Sequence, residues 1–105
     1  MEKPNIDYIK NLSGGDVAFE KKIIGILKAE FPEEKNTYVV CIQNKKYKDT
    51  AEIVHKLKHK ISILGLERGY QTAALFEEEL LEEKTVLKED FEKILALMTN
   101  YIDHL

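Results

Sequence analysis

The chain has 105 residues, of which 44% are hydrophobic and 33% charged, so we expect one globular domain spanning 1–105. A formal net charge of −3 argues against nucleic acid as a partner, because phosphate binding requires a basic surface. No apolar run reaches the ~18–20 residues of a membrane span. The N-terminus shows no signal-peptide pattern, and the lone Cys41 allows no intramolecular disulfide; we therefore predict a cytoplasmic protein without membrane contact.

The first predicted helix is short. It begins at Pro4 or Asn5 and ends at Ser13-Gly14-Gly15, since two glycines permit backbone angles that a helix does not hold. Its inward side chains are predicted to be Ile6, Ile9 and Leu12.

The second helix is predicted to follow Asp16, a favourable N-cap residue. Pro32 lacks the backbone N–H that the helix ladder uses, so we predict a bend or break at Phe31. The apolar face of this helix comprises Phe19, Ile23, Ile26, Leu27 and Phe31.

Residues 37–42 (TYVVCI) are β-branched and aromatic and, taken alone, favour a strand. Nothing else in the sequence alternates with period two, so a single strand would leave backbone groups without partners. We therefore predict a helix here, followed by a polar break at 44–46.

The third helix is predicted to begin near Tyr47 or Asp49 and to end near Gly65, and it has two distinct faces. An apolar face recurs at intervals of three and four residues, and it comprises Val54, Leu57, Ile61 and Leu64. The opposite face comprises His55, Lys58, His59 and Ser62. A histidine in mid-helix on the solvated face is poorly placed for a core and well placed for chemistry with a partner.

Two further helices complete the prediction. One begins near Glu67 and turns Tyr70, Ala73, Ala74, Phe76 and Leu80 inward. After a turn at 84–88, with Thr85 as a plausible cap, the last helix carries one continuous apolar stripe: Phe91, Ile94, Leu95, Met98, Tyr101, Ile102 and Leu105. The predicted fold class is all-α, an antiparallel four-helix bundle with one or two short extra helices at the N-terminus.

Four segments occur in an order and spacing that is similar to a known family. They are 11–16 (NLSGGD) with Phe19, 31–33 (FPE), 51–58 (AEIVHKLK) running on to 64–66 (LGL), and 75–77 (LFE). Over nearly its whole length the chain resembles the histidine-containing phosphotransfer (HPt) domains of bacterial phosphorelays.

The resemblance implies that His55 is a phosphoacceptor and that Lys58 supports it electrostatically. Such a domain is a carrier and not an enzyme: it takes a phosphoryl group from an aspartyl phosphate on a response-regulator receiver domain and passes it to another receiver. Its partners would be receivers and a hybrid histidine kinase, with Mg²⁺ on the receiver and no cofactor of its own. A histidine ring with an ordinary pKa of ~6.5 offers a neutral nitrogen for attack at cell pH.

Two positions depart from the family pattern. His59 stands where the family usually has glycine, beside the nucleophile, so it could hinder docking, narrow the partner set, donate to phosphate or compete as acceptor. Gly69 stands where the family tends to have leucine, which puts the packing of the next helix in question. We expect the partner to contact His59, Ser62, Glu52 and Glu77, although Glu77 is also explained as one member of an acidic face.

Three alternatives remain open at the level of sequence. A non-phosphorylated pseudo-HPt bundle could bind a receiver or kinase and regulate it sterically. A structural bundle could have no role in a phosphorelay. The pair His55 and His59 could bind a metal, but Lys56 stands where a zinc-protease helix has glutamate, so we predict no metal site.

Overall fold

In the computed structural model, which describes residues 2–105, the regular secondary structure is entirely α-helical. No β-strand occurs in this range, so the all-α prediction is confirmed. The helices are α1 (Asp7–Ser13), α2 (Val17–Gln43), α3 (Tyr47–Ile63), α4 (Glu67–Leu81) and α5 (Lys88–Asp103). None of them is both long and apolar enough to cross a membrane, within the range described.

Helix α2 continues through Pro32, so of the predicted bend or break at Phe31, the break does not occur. A proline inside a helix removes one ladder hydrogen bond, and tertiary packing can hold the helix together across it. Phe31 and Tyr38, two turns apart and both buried, anchor the halves on either side of the proline. The helical prediction for 37–42 is confirmed, and this segment is the second half of α2 rather than a separate helix.

The four longer helices share one core, because each of them packs against two others. The contacts run α2–α3, α3–α4, α4–α5 and α5–α2, while α1 packs on α2. At the centre the rings of Tyr38, Phe76 and Phe91 meet with centroids 5.1–6.4 Å apart. The long dimension of 44 Å matches α2, since its 27 residues span about 40 Å at 1.5 Å per residue.

Helix ends confirm one predicted cap and correct another. The Asp16 carboxylate accepts a hydrogen bond from the Phe19 N–H at 3.1 Å, as predicted. Thr85 does not cap α5: Leu87 occupies the N-cap position and donates its N–H to Glu79 Oε1 at 2.7 Å. A carboxylate from the end of α4 therefore fixes the start of α5.

Several side chains predicted to face inward are exposed instead: Leu12, Phe19, Ile26 and Tyr70. The seven-residue α1 buries Ile9 and is too short to cover the whole apolar stripe of the first half of α2. Periodicity in the sequence predicts which side chains share one apolar face of a helix. How many of those side chains are buried depends on how much of the face a neighbouring helix covers.

The N-terminal segment crosses the turn between α3 and α4. The Glu2 carboxylate accepts from the N–H groups of Arg68 and Gly69 at 2.8 and 3.1 Å, and Asn5 N–H donates to Leu64 O at 2.8 Å. Gly65 has a φ of +76°, and a Cβ there would lie 2.6 Å from Asn5 Nδ2. This turn therefore requires glycine, and the segment that crosses it leads directly into α1.

Gly69, the second departure from the family pattern, is buried. A Cβ at this position would lie 3.1 Å from Ile61 Cγ2 and 3.4 Å from Ile94 Cγ2. Neighbouring isoleucines therefore fill the space that a larger residue would occupy, and α4 packs closely without one.

An ion cluster joins α3 to α2. Lys60 Nζ lies 3.0 Å from Glu30 Oε1 and 2.9 Å from Glu34 Oε2, and its side chain is only 12% exposed. Burial alone would lower the pKa of Lys60, but hydrogen bonds and attraction to the two carboxylates outweigh it and raise that pKa above the ordinary lysine value. Within residues 2–105, no group hydrogen-bonds to the buried Glu34 Oε1. Lys60 is the cation that compensates the negative charge of both carboxylates.

Candidate functional site

The two predicted faces of α3 are present. Val54, Leu57, Ile61 and Leu64 are fully buried, whereas the His55 side chain is 50% exposed. The buried residues fix the helix against the core, so the orientation of the histidine is set by packing on the far side. His55 is therefore both positioned and accessible.

A carboxylate from α4 holds one nitrogen of the His55 ring. Nδ1 lies 3.2 and 3.1 Å from Glu77 Oε1 and Oε2. An ionised carboxylate only accepts hydrogen bonds, so Nδ1 is the protonated nitrogen. Nε2 then carries the lone pair of the neutral ring, and no group among residues 2–105 hydrogen-bonds to it. This arrangement fixes both the tautomer and the ring orientation, as it does for metal-bound and catalytic histidines.

The same carboxylate also binds Lys58. Lys58 Nζ lies 3.0 Å from Glu77 Oε1, and its side chain is only 13% exposed. The ammonium lies 5.5 Å from the centroid of the Tyr70 ring, within the range of a cation–π contact. The prediction that Lys58 lies with His55 on the solvated face is therefore wrong for its side chain, which turns toward α4 because two partners there satisfy its charge.

Glu77 thus links a nucleophile to a cation. Its negative charge is offset by Lys58, so an anion approaching His55 does not meet an uncompensated carboxylate. The sequence allowed Glu77 to be either a residue close to His55 or one member of an acidic face. The structure favours the first interpretation, because the Glu77 side chain is only 24% exposed and contacts both His55 and Lys58.

His59 lies directly beside His55. The two ring centroids are 4.8 Å apart, with the rings edge to face, and His59 is exposed. It borders a shallow depression with Tyr8, Ser62, Ile63 and Tyr70. A second depression on the other side of His55 contains Glu52 and is lined by Lys48, Ala51, Lys56, Glu77 and Leu81.

The six predicted site residues therefore divide into three groups. His55, Lys58 and Glu77 are in direct contact, and His59 packs on His55. Glu52 and Ser62 are exposed, one in each flanking depression.

Sequence reasoning missed Tyr70 and Leu81. Tyr70, Glu77 and Leu81 are spaced by seven and four residues on α4, a helical face that could have placed all three beside His55. Periodicity instead assigned Tyr70 to the core.

No group of three or more histidine, cysteine, aspartate or glutamate side chains within residues 2–105 is arranged to hold a metal ion. A scan against protein-family models, a search of curated proteins and a search of solved structures each gave no match. The functional argument therefore depends on the geometry around His55.

Proposed function

We propose that this protein is a phosphoryl carrier of the HPt class in a multistep phosphorelay, with Nε2 of His55 as the acceptor. The observation that carries the proposal is a half-exposed histidine whose Nδ1 is held by Glu77. A carrier requires such a nucleophile at its surface, and the contact of Nδ1 with Glu77 leaves the lone pair of the neutral ring on Nε2.

We infer that α2 to α5 form an antiparallel four-helix bundle, with α1 as a single short extra helix. Short connections at 44–46, 64–66 and 82–87 favour antiparallel neighbours. The ring of contacts among these helices supports the same arrangement. In such a bundle α3 presents His55 from a rigid scaffold, and positioning accounts for most of the catalysis in phosphoryl transfer.

The proposed transfer is a single displacement at phosphorus. The lone pair of His55 Nε2 forms a bond to the phosphorus of a receiver's aspartyl phosphate, the bond from phosphorus to the aspartyl oxygen breaks, and its electron pair leaves with the carboxylate. The ring gains positive charge while Nδ1 keeps its proton. The Glu77 carboxylate beside Nδ1 stabilises that charge, and Lys58 prevents Glu77 from repelling the incoming phosphoryl group.

The receiver would dock over His55 on the face formed by α1, α3 and α4. The exposed apolar side chains Tyr8 and Leu12 on α1 and Leu81 on α4 are available for burial in that interface. Tyr70 and Leu81 of α4 line the two depressions that flank His55, which supports including α4 in this face. The receiver would supply Mg²⁺ and its acidic pocket, and a hybrid histidine kinase would supply the phosphoryl group upstream.

The test is transfer of label from a panel of receiver domains carrying a radioactive aspartyl phosphate. We expect an acid-labile, alkali-stable adduct on the wild-type chain. In an assay at pH 8.5, the adduct should be lost in His55→Ala and retained in His59→Ala and in the matched control His104→Ala, which changes an exposed histidine at the end of α5. Labelling that survives His55→Ala would overturn the site assignment.

A second candidate function is favoured by His59. Its ring lies against the nucleophile at the position where the resemblance leads us to expect glycine, so it could obstruct in-line approach of a phosphoryl group. The chain would then be a pseudo-HPt bundle that binds a receiver or kinase and regulates it sterically. Measurable binding of a receiver without labelling of any histidine would support this second function over the first.

A further inference from the structure

We propose that His59, and not Lys58, is the cation that contacts the phosphoryl group once it is on His55. This inference deepens the proposed function and rests on it. On this proposal, the charge on His59 stabilises the phosphoryl group on His55, so the fraction of His55 that carries this group depends on pH.

Lys58 is already committed to other partners. Its ammonium is paired with Glu77 Oε1 at 3.0 Å, its side chain is 13% exposed, and the Tyr70 ring covers it from α4. Turning it toward a phosphoryl group would break a largely buried ion pair and leave Glu77 uncompensated, which is costly. Its charge therefore acts through Glu77 and not directly on the phosphate.

His59 has the freedom that Lys58 lacks. It is exposed, one turn beyond His55 on the same face, and the two ring centroids are 4.8 Å apart in an edge-to-face arrangement. No carboxylate among residues 2–105 lies within ion-pair distance of it. A small rotation of the ring would direct an N–H toward oxygens of a phosphoryl group on the neighbouring Nε2, and a charge-assisted hydrogen bond of this kind is among the strong ones.

Two phenols face His59 from neighbouring helices. Tyr8 of α1 and Tyr70 of α4 line the same depression as His59. On α3, Lys56 lies one turn before His59, and Lys60 is engaged with Glu30 and Glu34 on α2. The His55 and His59 rings are 4.8 Å apart, and interacting titratable groups share their titration. His59→Lys, which keeps a cation at every pH of the test, therefore separates the charge of His59 from that of His55.

The experiment measures the equilibrium distribution of label between His55 and one receiver domain, from pH 6 to pH 8.5. Because hydrogen bonds to charged groups are worth more than neutral ones, we expect His59→Leu to lower phosphoryl occupancy of His55 by about tenfold at pH 6. The difference should shrink to less than about twofold at pH 8.5, where an ordinary histidine is neutral. His59→Lys should keep high occupancy at both pH values, and the control His104→Leu should match wild type throughout.

The outcomes separate the two proposals. In one outcome, His59→Leu does not change the amount of label on His55 at pH 6, whereas Lys58→Met lowers it tenfold. This outcome would overturn the role of His59 and leave the carrier function intact. A His59→Leu deficit that is equal at pH 6 and pH 8.5 would also overturn it, because the effect would then be one of shape. Absence of label on wild-type His55 would overturn both. Since His59 is exposed, thermal unfolding of the His59 variants should match wild type, and the same measurement shows whether Lys58→Met is folded at the temperature of the assay.

Discussion

Lys58 and Lys60 lie two residues apart on α3 and contact opposite neighbours. Lys58 reaches α4, where it shares one carboxylate with a half-exposed histidine. Lys60 reaches α2, where it alone serves two carboxylates, one with a buried oxygen that has no partner. At Lys58 one negative charge is divided between two nitrogen groups beside an accessible nucleophile. At Lys60 one positive charge is divided between two acids on α2.

The comparison separates two uses of a similar ion pair. The Lys60 cluster stabilises the contact between α2 and α3, because removing its cation leaves Glu34, whose side chain is only 16% exposed, without a compensating charge. The Lys58 cluster orients a side chain and compensates a charge. We therefore expect changes at Lys60 to affect stability and changes around Lys58 to affect transfer.

The largest expected effect is on stability. Lys60→Met should lower the free energy of unfolding by about 2–3 kcal/mol, because Glu30 and Glu34 lose their shared partner. Chemical denaturation measures this change, and labelling of His55 should remain within twofold of wild type. Adding Glu30→Gln and Glu34→Gln to the variant should recover most of the loss, because no uncompensated charge remains. A Lys60→Met variant as stable as wild type would remove the distinction between the two lysines.

The next effect is on transfer. Glu77→Ala should slow phosphoryl transfer to His55 about 10–100-fold, the usual range for losing a partner that orients a functional histidine. Glu77→Gln should be intermediate, because its amide oxygen accepts from Nδ1 but carries no charge. Glu78→Ala, which changes the exposed neighbour, is the matched control for transfer rates from a phosphorylated receiver. Equal rates for wild type and Glu77→Ala would show that the contact with Nδ1 is incidental.

The third prediction concerns alkaline pH. Burial, the hydrogen bond to Glu92 and its charge raise the pKa of Tyr38, and the pKa of Lys60 is also raised. Above pH ~10 the unfolded chain releases these protons before the folded chain does, so stability falls as pH rises, by at most ~1.4 kcal/mol per pH unit for each group. Below pH ~10 both contributions are fully present.

Denaturation midpoints measured from pH 9 to pH 11.5 test this slope. Tyr38→Phe and Lys60→Met should each flatten it, and the double variant should flatten it most. An unchanged slope in the double variant would contradict the assignment of alkaline sensitivity to these two groups.

The smallest effects are expected at the rim of the site. Glu52→Ala and Ser62→Ala should each change receiver affinity by less than about fivefold, since exposed polar contacts contribute ~0.2–1 kcal/mol. Titration calorimetry with a receiver measures this, with Glu89→Ala on α5 as a control outside the face. A loss of more than tenfold at either residue would place it at the centre of the interface and shift the docking face toward that depression.

Local sequence patterns predicted the helices well and their burial less well. The two faces of α3 followed from spacing alone, because the core needs an apolar stripe and solvent tolerates the rest. The Asp16 cap followed from the chemistry of a short carboxylate before a helix. Pro32 was misjudged because a local rule on hydrogen bonding was outweighed by the burial of Phe31 and Tyr38 on either side of it.

The candidate site shows the same division. The sequence by itself determined that His55 lies on the solvated face of a helix, since periodicity fixes direction within one element. Only the tertiary structure decided that Glu77 holds Nδ1, that Lys58 turns away from solvent, and that His59 remains exposed with no acidic partner among residues 2–105. The physical reason is that these relations depend on how α4 packs against α3, and no spacing within a single helix encodes the distance between two.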